Sequence, residues 1–299
     1  MRWIIFVLLF WAFPVWASQY ALPHPSDSVV GKVQYLTATY EDTLAEIARH
    51  YDIGYENLRR ANPDVDPWLP KSGTQILIPS EYILPEAPRE GIVINLAAMR
   101  LFYYPKGAKE VITYPIGIGR EGWGTPLGVT RVVAKVKDPS WTPPESIRKE
   151  HAQAGDPLPR VVPAGPDNPL GQYALRLGWS GYLLHGSNKP FGVGMQVSHG
   201  CLRLLPEDVE SLYQRVPIGT TVRVVNQPWL WGERQGHYYL QVFPALAEHS
   251  GESTSWQDFL RWLQKKLPSG ISVSWPMVQE IFARADGVPT LVAVESGKE

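Results

Sequence analysis

The sequence predicts a mainly β fold built in three units: a small βααβ module, a larger β-rich body and a mixed α/β extension. Three observations lead there. At 299 residues the chain exceeds the usual size of one domain. Its 28 prolines and 26 glycines cut it into many short, turn-bounded segments, which favours strands over long helices. Aromatic residues are abundant, at 11% against 19% charged residues, so there is apolar surface enough to bury a core. The divisions fall at residues 1–17, a leader, then 33–80, 90–225 and 226–299.

Met1-Arg2, the apolar run Trp3 to Phe13 and then Pro14-Val15-Trp16-Ala17 have the positive end, short apolar region and small-residue cleavage pattern of a secretory signal peptide. The run is short for a membrane span, which takes about 20 residues, and no later stretch is apolar enough for one. The mature chain is therefore expected to be exported and to begin near Ser18, with no transmembrane segment left. Charges nearly balance, with 28 basic and 29 acidic residues, which excludes a basic field for nucleic acid. An oxidising compartment selects for paired cysteines, yet Cys201 is the sole cysteine. Unpaired, it is a liability unless its reactivity is used.

After a short polar lead containing Pro23 and Pro25, the module begins with Val33, Tyr35 and Thr37 alternating as a strand. Asp42 is placed to cap a helix with Leu44, Ile47, Ala48 and Tyr51 on its inward face. Asp52-Ile53-Gly54 ends it. A second helix carries Tyr55, Leu58 and Ala61 and stops at Asn62-Pro63. A turn at Pro70 to Thr74 leads into the strand Gln75 to Ile78. The pieces Glu41-Asp42-Thr43-Leu44, Asn57-Leu58, Ala61-Asn62-Pro63 and Lys71-Ser72-Gly73-Thr74-Gln75-Ile76-Leu77-Ile78-Pro79 resemble a LysM domain. Glu41 departs from the glycine common there. The resemblance implies a module that binds the glycan of peptidoglycan or chitin.

Glu81 to Arg89, with Pro85 and Pro88, is a stiff linker by composition. Strands then follow at Ile92 to Ile94, Arg100 to Tyr104, Val111 to Ile118 and Val129 to Val136, separated by turn residues. The proline-rich stretch Asp138 to Pro169 shows no sustained period and is predicted to be a long structured loop, a cap over a substrate groove. Strands resume at Tyr173 to Leu177 and Tyr182 to Leu184. Pro206 starts a helix with Val209, Leu212 and Tyr213, and Thr220 to Val225 closes the body. In the extension, Gln235 to Val242 reads as a strand. Ser255 caps a helix with Trp256, Phe259, Leu260, Leu263 and Leu267 on one face, a further helix runs from Pro276 to Ala285, and a strand from Val288 to Val294. These apolar faces predict docking on the body.

Chemistry concentrates in His185 to Arg203. A cysteine nucleophile needs a base or an electropositive site, because the thiolate attacks. Both His185 and His199 are candidate bases for Cys201, and their spacing does not rank them. Gly200 frees backbone N–H groups, its own and that of Cys201, to converge on an oxyanion. Arg203 is placed to hold a substrate carboxylate or carbonyl, or to form a structural ion pair. Two bland alternatives are a buried small hydrophobe at Cys201 and a zinc site on His185, His199 and Cys201. Against zinc, no Glu or second Cys stands at metal-site spacing, so no metal and no cofactor is expected.

His185-Gly186 with Ser198-His199-Gly200-Cys201-Leu202-Arg203, supported by Gly91-Ile92-Val93-Ile94-Asn95, Pro115-Ile116-Gly117-Ile118-Gly119, Thr125-Pro126, Trp141-Thr142-Pro143 and Val162 to Pro169, resembles the YkuD-type L,D-transpeptidase catalytic domain in its ErfK/YbiS subgroup. The resemblance, with the LysM unit, spans about residues 33–225. It implies a β-sandwich or partial-barrel catalytic domain, with Cys201 as nucleophile and His185 as base. The carbonyl of Gly186 would orient the imidazole, Ser198, His199 and Gly200 would shape the oxyanion site, and Arg203 would support it or touch substrate. It further implies a peptidoglycan substrate in a periplasmic, Gram-negative envelope. The tetrapeptide stem would be cleaved before its terminal D-alanine, and the acyl group passed to a second diaminopimelate or to the lysine of an outer-membrane lipoprotein. A hydrolase with the same residues, or an inert LysM wall-binding protein, are the rival functions.

Overall fold

A computed structural model describes residues 18–22, 24, 27–246 and 254–295; the predicted leader, residues 1–17, lies outside them. The body is a nine-stranded sheet in the order Ser18–Ala21, Glu110–Pro115, Arg100–Tyr104, Gly91–Asn95, Thr221–Val225, Gly128–Lys137, Tyr173–Leu177, Leu183–His185, Leu202–Arg203. Two neighbouring pairs run parallel: Gly91–Asn95 with Thr221–Val225, and Leu183–His185 with Leu202–Arg203. The long strand Gly128–Lys137 pairs with Thr221–Val225 along its first half and with Tyr173–Leu177 along its second. Its register shifts between Val132 and Ala134, and such a bulge bends a strand, so the sheet curls there.

Alternation along Arg100–Tyr104 explains why every residue of that strand is buried. Leu101 and Tyr103 face the inner core with Ile92, Ile94, Leu175, Leu184, Leu202 and Val222, closed by Val209 and Leu212 of the helix Pro206–Arg215. Phe102 and Tyr104 face outward and, with Val93 and Val111, receive Leu44, Ile47, Leu58, Ile76 and Ile78 of the module. The module thus shares a core with the back of the catalytic sheet.

Within it, Gln34–Thr37 pairs with Gln75–Ile78, and the helices Leu44–His50 and Tyr55–Ala61 lie between. The first helix is capped by Thr43 rather than Asp42. Thr43 Oγ1 accepts the Glu46 N–H at 3.2 Å and donates to its carboxylate at 2.9 Å, a reciprocal cap, while Asp42 Oδ2 turns back to accept from Thr39 N–H at 2.6 Å. In the first strand the inward residue is Leu36, and Tyr35 is 68% exposed. Asn62 bolts the second helix to the sheet: its Nδ2 donates to the carbonyls of Leu58 and Leu77, both at 2.8 Å, and its Oδ1 accepts the Leu77 N–H at 2.8 Å.

Four further sequence expectations change. The polar lead supplies two strands, Ser18–Ala21 on the edge of the large sheet and Val29–Gly31. The linker Glu81 to Arg89 begins as a strand, Glu81–Ile83, antiparallel to Val29–Gly31; Tyr82, Ile83 and Leu84 are buried, and apolar burial outweighs the proline-rich context. The long loop holds a helix, Glu145–Gln153, entered from Pro144, because the prolines flank that stretch and leave its interior free to hydrogen-bond. The extension forms its own core. Phe259 and Leu263 of Trp256–Lys266 and Val278 and Ile281 of Trp275–Arg284 pack with Leu240 and Val292 of the sheet Trp229–Arg234, His237–Val242, Thr290–Val294. It meets the rest through Leu230 and Phe243 against Val29, Ile83, Ala97 and Ala98, through Leu246 in the inner core, and through the ion pairs Arg234–Glu81 and Lys266–Glu86. The two helices satisfy each other's apolar faces, so neither needs the body.

Candidate active site

His185 ends the strand Leu183–His185, and its parallel partner sets the register Leu184↔Leu202 and His185↔Arg203. Leu184 and Leu202 are fully buried in the inner core. Side chains alternate across a strand and directly paired residues share a face, so His185 and Arg203 lie together on the opposite face. Cys201, two residues before Arg203, falls at the register of Leu183. Its Sγ donates to the carbonyl of Gly181 at 3.4 Å.

Cys201 is delivered by a tight turn from Gln196–Ser198 to Leu202–Arg203. Gly200 takes φ +100, and a Cβ there would stand 3.3 Å from both the Trp123 carbonyl oxygen and a Tyr182 ring carbon, so both conformation and space call for glycine. Ser198, buried, braces the turn. Its hydroxyl accepts the Gly200 N–H at 3.2 Å and donates to the Cys201 carbonyl at 2.6 Å. Thr125 Oγ1 donates to the Gly200 carbonyl at 2.9 Å. The Gly200 N–H, expected to face an oxyanion, is thus engaged inside the turn.

The His185 imidazole is 3% exposed, and its Nδ1 lies 2.6 Å from the Gly186 carbonyl oxygen. A carbonyl only accepts, so Nδ1 carries the proton and Nε2 holds the lone pair. Burial, then the Arg203 charge, push the His185 pKa down to about 4, against the opposing pull of the Gly186 and Leu170 carbonyls. Burial pushes the Cys201 thiol up, opposed by the Leu183 backbone and by Arg203. Both shifts favour the uncharged forms, a thiol at Cys201 and a neutral imidazole at His185.

Arg203 is fixed by its backbone, which exchanges hydrogen bonds with Gly117 at 2.9 and 2.8 Å. Its Nε is buried without a partner, and it makes no ion pair among the described residues. His199 points elsewhere. Its Nε2 is 3.3 Å from Glu150 Oε2 and 3.2 Å from Arg120 Nη2, and its ring meets Trp123 edge-on at 4.9 Å. Arg120 in turn pairs with Glu150 at 2.6 Å. Glu150 lies on the helix Glu145–Gln153, so His199 ties the long loop to the cysteine turn. His185, His199 and Cys201 form no metal-binding cluster among the described residues. Sequence reasoning missed Arg120 and Glu150; neither stands at a motif spacing from Cys201, and only the fold brings them together.

The YkuD L,D-transpeptidase catalytic domain matches residues 89–224, and the LysM domain matches residues 37–79. The Escherichia coli K12 protein named "Probable L,D-transpeptidase YbiS" is 46% identical over 235 residues, covering 77% of this chain and 76% of its own. The chain belongs to the L,D-transpeptidase family. "Probable L,D-transpeptidase ErfK/SrfK" of the same organism is 42% identical over 254 residues, covering 84% of this chain and 82% of its own. Its Salmonella typhimurium counterpart is 38% identical over 303 residues, 96% of this chain and 95% of its own. That last similarity extends through the α/β extension, beyond the two units that the L,D-transpeptidase and LysM domains match.

Proposed function

We propose that this L,D-transpeptidase is exported to the periplasm and acts on peptidoglycan, with Cys201 as nucleophile and His185 as general base. The observation that carries it is the parallel register that sets His185 beside Arg203 on the Cys201 face, with Nδ1 held by Gly186. His185 Nε2 takes the thiol proton as sulfur attacks the carbonyl between diaminopimelate and the terminal D-alanine of a tetrapeptide stem. The Cys201 N–H supports the oxyanion; the Gly200 N–H joins only by exchanging the Ser198 hydroxyl for it. D-Alanine leaves as the amine, reprotonated by His185, and a thioester remains. An acceptor amine then attacks the thioester, gives its proton to His185 and frees the sulfur. The Arg203 guanidinium is assigned to a substrate carboxylate or carbonyl.

The LysM unit binds the glycan and, sharing its core with the back of the catalytic sheet, travels with the active site as one piece. The acceptor is a second diaminopimelate or the lysine of an outer-membrane lipoprotein.

Incubating the mature protein with tetrapeptide muropeptides, with and without an amine acceptor, tests the scheme by product mass. Loss of D-alanine with an amine adduct is expected. Loss of D-alanine without an adduct would make the protein a hydrolase, and no change, with no covalent carbapenem adduct at Cys201, would leave an inert wall-binding protein.

A further inference from the structure

Where the LysM module meets the sheet, two carboxyls are buried around one guanidinium. Asp52 is 3% exposed, Asp208 1% and Arg100 1%. Asp52 sits at the end of the first module helix with φ 56, Asp208 on the helix Pro206–Arg215, and Arg100 on the sheet. Arg100 Nη2 lies 3.6 Å from Asp52 Oδ2. Asp52 Oδ1 and Asp208 Oδ2 are buried without hydrogen-bond partners. The other ionisable groups facing the pair are Glu207, Tyr20, Tyr82 and Tyr114; none is a cation at neutral pH, and Glu207 is paired with Arg49. Burial pushes both carboxyls up, Asp208 well above the usual carboxylate range, and the two face each other closely enough to hold a proton between them; with both ionised the cluster is one positive charge short, which burial makes expensive.

One further atom reaches it. The Ser18 nitrogen donates to Asp52 Oδ2 at 3.1 Å, and Ser18 is the first residue of the edge strand, paired with Thr113, whose Oγ1 accepts from Arg100 at 2.8 Å. Ser18 is also the residue that follows the predicted cleavage site at Ala17.

We propose that leader removal after Ala17 makes the missing cation: the Ser18 α-ammonium seats on the Asp52–Asp208 pair and locks the N-terminal strand, the LysM module and the catalytic sheet together. It rests on the export proposal above. An endopeptidase adds water across the Ala17–Ser18 bond; the Ala17 carboxylate leaves with the leader, and the Ser18 nitrogen keeps the protons as an ammonium. In the uncut chain the same nitrogen is a neutral amide, able to hydrogen-bond but not to balance the charge. The processed N-terminus thereby becomes an intramolecular ligand that joins three parts of the molecule drawn from distant positions in sequence.

The test compares the exported protein with full-length mature chains released from a fusion to begin at Ser18 or, one residue longer, at Ala17. The α-amine is followed by NMR after 13C reductive methylation. In the Ser18 chain it is expected to titrate above about 9, against about 7.7–8.0 for an ordinary α-amine, and Asp52→Asn should return it to that range. The one-residue extension alters no core side chain, so it covers the case in which Asp52→Asn fails to fold. It is expected to lower the thermal midpoint by about 2–4 °C. An ordinary α-amine titration in the Ser18 chain, or equal midpoints for the two chains, overturns the seat. If intact mass shows that the exported protein begins elsewhere, the processing step is overturned, while the fusion-released Ser18 chain still reports on the seat itself.

Discussion

Two arginines stand at distant strands of the catalytic sheet, Arg100 under the LysM module and Arg203 beside the cysteine turn, and they are treated in opposite ways. Arg100, on the LysM side, is 1% exposed, donates to Thr113 Oγ1 and to the Asp52 carbonyl, and lies 4.1 Å over the Tyr82 ring. Arg203, on the cysteine side, is anchored only through its backbone and keeps a buried Nε without a partner. A buried donor left unmade costs about 1–3 kcal/mol. A satisfied arginine organises packing; Arg203, near Cys201 and His185, carries a buried donor that nothing in the fold satisfies. The same contrast runs through the titratable groups. Around Arg100 the sheet buries two carboxyls, whereas around Arg203 stand a half-buried thiol and a buried imidazole, both shifted toward their neutral forms.

The sharpest way to break this contrast is on the cysteine side. Cys201→Ala is expected to abolish product formation. His185→Ala should slow thioester formation by about 10²–10⁴-fold, the usual worth of a general base. His199→Ala should slow it much less, since His199 binds Arg120 and Glu150; stopped-flow acylation compares the two, and the reverse order would overturn the base assignment.

Under the LysM module, Arg100→Met should destabilise the fold by about 3–5 kcal/mol, as expected when one partner of a buried pair is removed, read from denaturant midpoints. Arg203→Met should shift that midpoint by less than about 1 kcal/mol, because no bond made within the protein is lost. It should nevertheless raise KM, and Arg203→Lys should not restore it, lacking the planar fork. Equal stability losses at Arg100 and Arg203 would erase the distinction.

A smaller effect concerns pH. His185 ionises near 4 when folded and near 6.5 when unfolded, so between those values the unfolded chain binds the extra proton. Its contribution to stability is whole above about 6.5 and is lost as pH falls through the window toward about 4. Denaturant midpoints across that range should show the loss in the parent and a shallower one in His185→Gln.

Much of the fold was legible in the sequence. The strands Arg100 to Tyr104 and Tyr173 to Leu177 emerge at their observed bounds, and Ser255 caps its helix with its hydroxyl on the Asp258 N–H. The strand Trp229–Arg234 was not, because Gly232 interrupts its pattern; a Cβ there would meet Val29 and Ile83 at 2.8 and 2.9 Å, a constraint imposed by residues some 150–200 positions away. Likewise the helix Glu145–Gln153 hid between prolines, and the strand Glu81–Ile83 hid inside a segment with linker composition.

For the candidate site, the sequence alone determined the kit: a lone thiol, two histidines, a glycine turn and an arginine within one stretch, with motifs that name a family. It could not divide the work between the histidines, since His199 stands closer to Cys201 along the chain than His185 does. Tertiary structure separated them through a parallel strand register, which carries His185 to the face of Cys201 while a left-handed glycine turns His199 toward Arg120 and Glu150. Register and burial are properties of paired strands, and no local spacing encodes them. That is also why the buried cluster of Asp52, Arg100 and Asp208 stayed invisible until three distant segments were folded onto one another.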